Sequence, residues 1–116
     1  MAKLKATPKN FEQASEVLAG RESIRLGNNT YLENFYGGIA VRLHNTRIVW
    51  FHEDGCVTLH TGGYRTVTTK ERLNQFIDGR VYQQHGQWYY RLPLVEGAIE
   101  GAVTVIFSEG LNVGAK

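Results

Sequence analysis

Cysteine is nearly missing from this chain: Cys56 is the single one among 116 residues. One thiol excludes an intramolecular disulfide and every zinc site built on several cysteines, and it fits a reducing compartment. Cys56 itself falls in a predicted strand beside a turn, where a small residue packs rather than reacts. Long apolar runs are missing as well. No window approaches the length needed to span a bilayer, and the opening MAKLKATPKN has no apolar centre of the kind a secretory signal needs. The expectation is a cytoplasmic protein with no membrane partner. Asn28-Asn29-Thr30 matches a glycosylation triplet, which is idle in that compartment and reads as a turn.

A strong excess of one charge is also lacking. Thirteen basic residues face eleven acidic ones, a net charge of +2 and a pI near 8.8, which permits a nucleic-acid partner without demanding one. Neither GxxxxGK[ST] nor GxGxxG occurs, and there is no serine nucleophile elbow, metal motif, redox pair or internal repeat. No cofactor and no metal are expected.

What is present is an ordinary globular composition, 42% hydrophobic and 21% charged, in a length suited to one domain over 1–116. The stretches 1–9 and 108–116 read as candidate loose tails. Asn10 can cap a short helix whose stripe is Phe11, Ala14, Val17 and Leu18, with Gly20 as the stop. Short strands follow over Glu22 to Leu26 and Thr30 to Asn34, then a turn at Gly37-Gly38.

From Ile39 onward, IAVRLHNTRIVWFHEDGCVTLHTGGYRTVTTKERLN reads as three strands and a capped helix. A turn at Asn45-Thr46 pairs Val41 with Trp50, and Asp54-Gly55 pairs Trp50 with Leu59. That register sends Ile39, Val41, Leu43, Ile48, Trp50, Val57 and Leu59 inward. Ala40, Arg42, His44, Arg47, Val49, Phe51, Cys56, Thr58 and His60 fall on the other face. Thr68 begins a capping box with Glu71, predicting a helix over about 69–78. A hairpin around His85-Gly86 carries Tyr82, Trp88 and Tyr90, Pro93 closes it, and Ala102 to Phe107 suggests a last strand. The fold class is therefore α+β, an antiparallel β-meander with a short N-terminal helix and one central helix.

Two regions suggest chemistry. If the second face is an exposed platform, Arg42 and Arg47 can meet phosphates while Phe51 stacks a base; if a helix covers Val49 and Phe51, the arginines and histidines merely line a solvated rim. Gly62 and Gly63, before a helix entrance bearing Arg65, Thr66, Thr68, Thr69, Lys70 and Arg72, can present amides and a dipole to an anion, although the same residues also serve a plain turn and cap. Histidines recur at His44, His52 and His60, but the register puts His52 on the other face. His44 and His60 then lie ~11 to 12 Å apart by ordinary strand spacing and rise, too wide for a shared metal or a tight acid–base pair. His44-Asn45-Thr46 matches the histidine-x-threonine unit of some RNA phosphoesterases, which need two such units, and His60-Thr61-Gly62 lacks the required threonine.

The segments AGRESIRLGNNTYLENF, IAVRLHNTRIVWFHEDGCVTLHTGGYRTVTTKERLN and VYQQHGQWYY resemble a group of small proteins carried by bacteriophages and bacteria, over roughly Ala19 to Arg91. The resemblance implies a viral or mobile-element origin and assigns no catalytic residue. Three functions follow: a nucleic-acid binding module using the arginine face and the helix entrance, a protein that binds or inhibits a host protein through Tyr82, Trp88 and Tyr90, and a metal-independent RNA phosphoesterase using His44 or His60.

Overall fold

The structure, a computed structural model, describes residues 4–92 and 104–113. The fold is α+β and mostly sheet. Helix α1 (Phe11–Leu18) leads into an antiparallel meander of β1 (Ser23–Gly27), β2 (Thr30–Phe35), β3 (Gly38–Leu43), β4 (Thr46–His52) and β5 (Val57–Leu59). Helix α2 (Val67–Gln75) then leads to β6 (Arg80–Gln84), β7 (Gln87–Arg91) and β8 (Thr104–Ile106), and β9 (Leu111–Val113) returns to the first sheet. The six-stranded sheet has the order β1-β2-β3-β4-β5-β9, and β6-β7-β8 form a second, three-stranded sheet. The loop expected after Pro93 and the start of the strand expected at Ala102 lie outside the described residues.

One face of the large sheet builds the core. Leu32, Ile39, Val41, Val49, Phe51, Val57 and Leu59 meet Ala14 and Leu18 of α1, Leu73 of α2 with Phe76 just beyond it, and Val81, Trp88 and Tyr90 of the small sheet in a single apolar cluster. Both helices and the small sheet thus contribute to the cluster on that face, and no described element covers the opposite one.

Asn10 caps α1 as its sequence suggests, its Oδ1 accepting from the Gln13 amide at 2.8 Å. The cap of α2 is Thr66 rather than Thr68: Thr66 Oγ1 accepts from the Thr69 amide at 3.2 Å, and the two hydroxyls meet as well. Threonine at the position where a box needs Glu or Gln still closes this entrance, so the helix begins two residues earlier than expected and ends at Gln75. Asn74 then fixes the exit by exchanging two hydrogen bonds with the Val81 backbone. The His85-Gly86 hairpin forms as read, with both turn residues at positive φ.

Neither expected tail is bare where it is described. Leu4 is buried against Gly27, and Leu111–Val113 pair with β5.

The register of β4 differs from the expectation. The first turn is His44-Asn45, with His44 at φ 55°, and a bulge at Ile48 lies between the pairs Arg42↔Arg47 and Val41↔Val49. The β4–β5 connection is longer than two residues, so Phe51 pairs with Val57 and Trp50 with Thr58. Both hairpins move β4 by one residue in the same sense, and a one-residue change exchanges its faces. Val49 and Phe51 turn inward and Trp50 turns outward, while Ile39, Val41, Leu43, Ile48, Val57 and Leu59 are buried as expected. Gly38 makes the outward indole possible: a Cβ there would lie 2.7 Å from Trp50 Nε1 and would clash with the Phe51 carbonyl.

Candidate functional site

The uncovered sheet face takes its side chains from alternate positions of neighbouring strands. Cross-strand pairing sets Arg25 beside Tyr31, Tyr31 beside Arg42 and Arg42 beside Arg47; one step along, it sets Glu33 beside Ala40, Ala40 beside Trp50, and Trp50 beside Thr58. Phe35 and His52 flank Trp50, with ring centroids at 5.0 and 4.2 Å. The result is a row of half-buried rings with three arginines at one end. The Trp50 indole N–H is buried and has no hydrogen-bond partner among the described residues.

Glu33 organises the arginines. Its two carboxylate oxygens accept from Arg42 Nε at 3.1 Å and Arg47 Nε at 2.7 Å. The guanidiniums also lie over rings, Arg42 at 4.5 Å from the Tyr31 centroid and Arg47 at 4.4 Å from that of Phe35. Arg42 Nη1 further donates to the His44 carbonyl at 2.7 Å. One carboxylate against three guanidiniums leaves the patch positively charged, and the bonding holds Arg42 and Arg47 in fixed positions.

Phe51, expected on this face, is fully buried and offers no ring to a ligand. Trp50, expected inward, stands in the place expected of Phe51.

At the Gly62-Gly63 loop, expected to receive an external anion, the Thr61 and Gly62 amides are taken by the chain's own Glu109. Its carboxylate accepts from the Thr61 amide at 2.6 Å, the Gly62 amide at 3.2 Å, the Thr61 hydroxyl, and Arg65 Nη2 at 3.5 Å. Burial works against the charge, but the bonds from Thr61 and Gly62, together with Arg65, hold the Glu109 carboxyl below the usual carboxylate range. The other residues of the expected cluster disperse. Gly63 is exposed with its amide on Thr61 Oγ1, and Thr68 is exposed in the first turn of α2. Lys70 reaches over the Trp88 ring at 5.6 Å, and Arg65 also lies near Trp88 and Phe107. Arg72 is only 4% exposed, donates to Gln75 Oε1, and burial lowers its pKa against the opposing pull of Glu71. It is a packed side chain.

In the small sheet, Trp88 and Tyr90 are buried in the core, so the expected aromatic hot spot is not on the surface. Tyr82 is partly exposed and stacks on Tyr89 at 5.5 Å, next to Ile106 at 62% exposure. Burial and Asp78 push the Tyr90 phenol up, opposed by a bond with the Gly79 backbone.

The histidines occupy separate settings. His44 is exposed in the β3–β4 turn, and His60 Nδ1 lies 3.9 Å from Glu109. No hydrogen bond or ion pair joins them among the described residues. No group of three or more His, Cys, Asp or Glu side chains suited to a metal occurs among the described residues, and no described helix is long and apolar enough to cross a membrane.

These features define a small α+β protein with one sheet face, both basic and aromatic, that no described element covers. The chain belongs to the Kyanoviridae Gp96 protein family, a family of phage proteins, whose profile matches residues 7–113. No curated protein and no solved structure matches it.

Proposed function

We propose that this phage protein binds single-stranded nucleic acid on the open face of its six-stranded sheet. The observation that carries the reading is the coincidence, on one uncovered surface, of Arg25, Arg42 and Arg47 with the rings of Tyr31, Phe35, Trp50 and His52. Unstacked bases have π faces that aromatic side chains accept whatever the sequence, while arginines follow the phosphates. Because Glu33 and two rings already hold Arg42 and Arg47, little side-chain freedom is lost when a phosphate arrives. A duplex would hide the base faces, so single strands are preferred.

The test is a titration with labelled single-stranded and duplex DNA and RNA at two salt concentrations. Arg42→Gln with Arg47→Gln keeps partners for Glu33 while removing two charges, and should lower the slope of log affinity against log salt by about 1.4. Trp50→Ala should weaken single-strand binding at both salts. No binding at low salt overturns the proposal.

A second reading rests on the surface of Tyr82, Tyr89 and Ile106, which suits a protein partner better than a nucleic acid. It calls for capture of a host protein that is insensitive to salt and lost in Ile106→Asp.

A further inference from the structure

We infer that the pocket at the β3–β4 turn is a site for a single nucleobase. The pocket has a volume of about 270 Å³. That lies near the low end, about 300 Å³, of small-ligand sites, the scale of one or two fused rings rather than of a peptide. Leu43 and Ile48 supply apolar walls, and Asn45, Thr46 and Tyr64 supply polar ones. His44, Asn45 and Tyr64 are exposed. No side-chain hydrogen bond joins His44, Asn45, Thr46 or Tyr64 to another described residue. Thr61 and Thr69, which also line the pocket, are by contrast engaged with Glu109 and Thr66.

The chemistry on offer matches a base edge and a base face together. A carboxamide presents a donor and an acceptor side by side, the pattern that pairs with the adjacent acceptor and donor of a nucleobase. Tyr64, 66% exposed, offers a ring for stacking, which a sugar would not require. Position supports the same ligand. Arg42 donates to the His44 carbonyl at 2.7 Å, and Arg47 follows Thr46 directly, so the basic end of the open face adjoins the turn that forms the pocket. A strand held by these arginines can turn one base around the β3–β4 turn into the pocket. That delivery rests on the nucleic-acid reading given above, whereas the pocket's affinity for a base does not.

Nucleosides test the pocket without the phosphate contacts of the sheet face. The full chain is titrated with adenosine, guanosine, cytidine, uridine and ribose, following the NMR signals of the Asn45 and Thr46 amides and the Asn45 side chain. At least one nucleoside should shift them at millimolar concentration while ribose does not, and Asn45→Ala and Tyr64→Ala should each weaken the response by about tenfold. Both variants lie at exposed positions, and their melting temperatures verify that they fold; the titration of the unaltered chain decides the matter alone if they do not. No response to any nucleoside, or an equal response to ribose, overturns the inference even if oligonucleotides bind. A nucleoside response without oligonucleotide binding sustains the pocket and removes the sheet-face reading instead.

Discussion

Replacing Glu109 tests how the loop before α2 is held. Its carboxylate accepts two backbone amides, a hydroxyl and a guanidinium, and with 39% of its side chain exposed it remains partly screened by water. A buried hydrogen bond to a charged group contributes about 1.5–3 kcal/mol, and exposed ion pairs contribute much less. Discounting for solvent, Glu109→Ala should cost about 1–2 kcal/mol, which for a chain of this size lowers the melting temperature by about 3–10 °C. Glu109→Gln should lose less, since the amide oxygen still accepts from Thr61 and Gly62.

The pH dependence has a definite sign. The folded pKa of Glu109 lies below its unfolded value, so its stabilisation is complete above the unfolded pKa, near 4.3, and disappears as pH falls through the folded value. Thermal melts from pH 7 down to 2.5 should therefore show the gap between the natural chain and Glu109→Ala narrowing in acid. A gap of under about 1 °C at pH 7, or one that widens in acid, would refute this account of the loop.

Other positions give equally direct tests. Phe51→Ala should cost about 3–5 kcal/mol in urea unfolding, and Trp50→Ala about 1–2 kcal/mol; the reverse order would mean that the faces of β4 have been assigned backwards. Gly38→Ala should cost about 1–3 kcal/mol through overpacking against the Phe51 carbonyl and the indole, and adding Trp50→Ala should restore only part of it because the carbonyl clash remains. The folded pKa of Tyr90 is raised, so its contribution is intact below the unfolded pKa near 10 and is lost as pH climbs through the folded value. Tyr90→Phe should accordingly flatten the fall in stability expected above about pH 10, and an unchanged alkaline profile would count against the assignment.

Much of this architecture is legible in the residues themselves. Asn10 before an apolar stripe marks α1, and His85-Gly86 between aromatic strands marks a hairpin, because caps and two-residue turns are decided locally. Alternation shows β3 and β5 equally well. It fails at β4, where Ile48, Val49, Trp50 and Phe51 are all apolar and either parity gives a plausible core. The choice rests on a bulge at Ile48 and on the room left at Gly38 across the sheet, neither of which periodicity reveals.

Arg42 and Arg47 could be placed on the face away from the core from sequence, since both lie beside the turn on the polar side of their strands, although whether that face is covered could not. Their companion Glu33 sits on β2, one strand before Arg42 and two before Arg47, and only the β2–β3 and β3–β4 registers bring it to them. The sequence likewise marks Gly62 and Gly63 as a place for an anion. That Glu109, 47 residues from Gly62, fills it is a long-range contact with no local signal. Asn45 and Tyr64 belong to separate loops and become a pocket only when folded together.

The placement of β9 bears on how the chain is made. Thr58 and its cross-strand partner Asn112 are 54 residues apart, so a ribosome adding about 5–20 residues per second needs about 3–11 seconds between them. Hairpins close in microseconds. The meander can therefore assemble long before β5 receives its last neighbour, and during that interval one border of the growing sheet exposes unpaired amides and carbonyls to any other nascent chain. Crowded expression of many chains at once would reveal that interval as aggregation; slowing the ribosome would lengthen it, whereas making fewer chains at a time would relieve the aggregation.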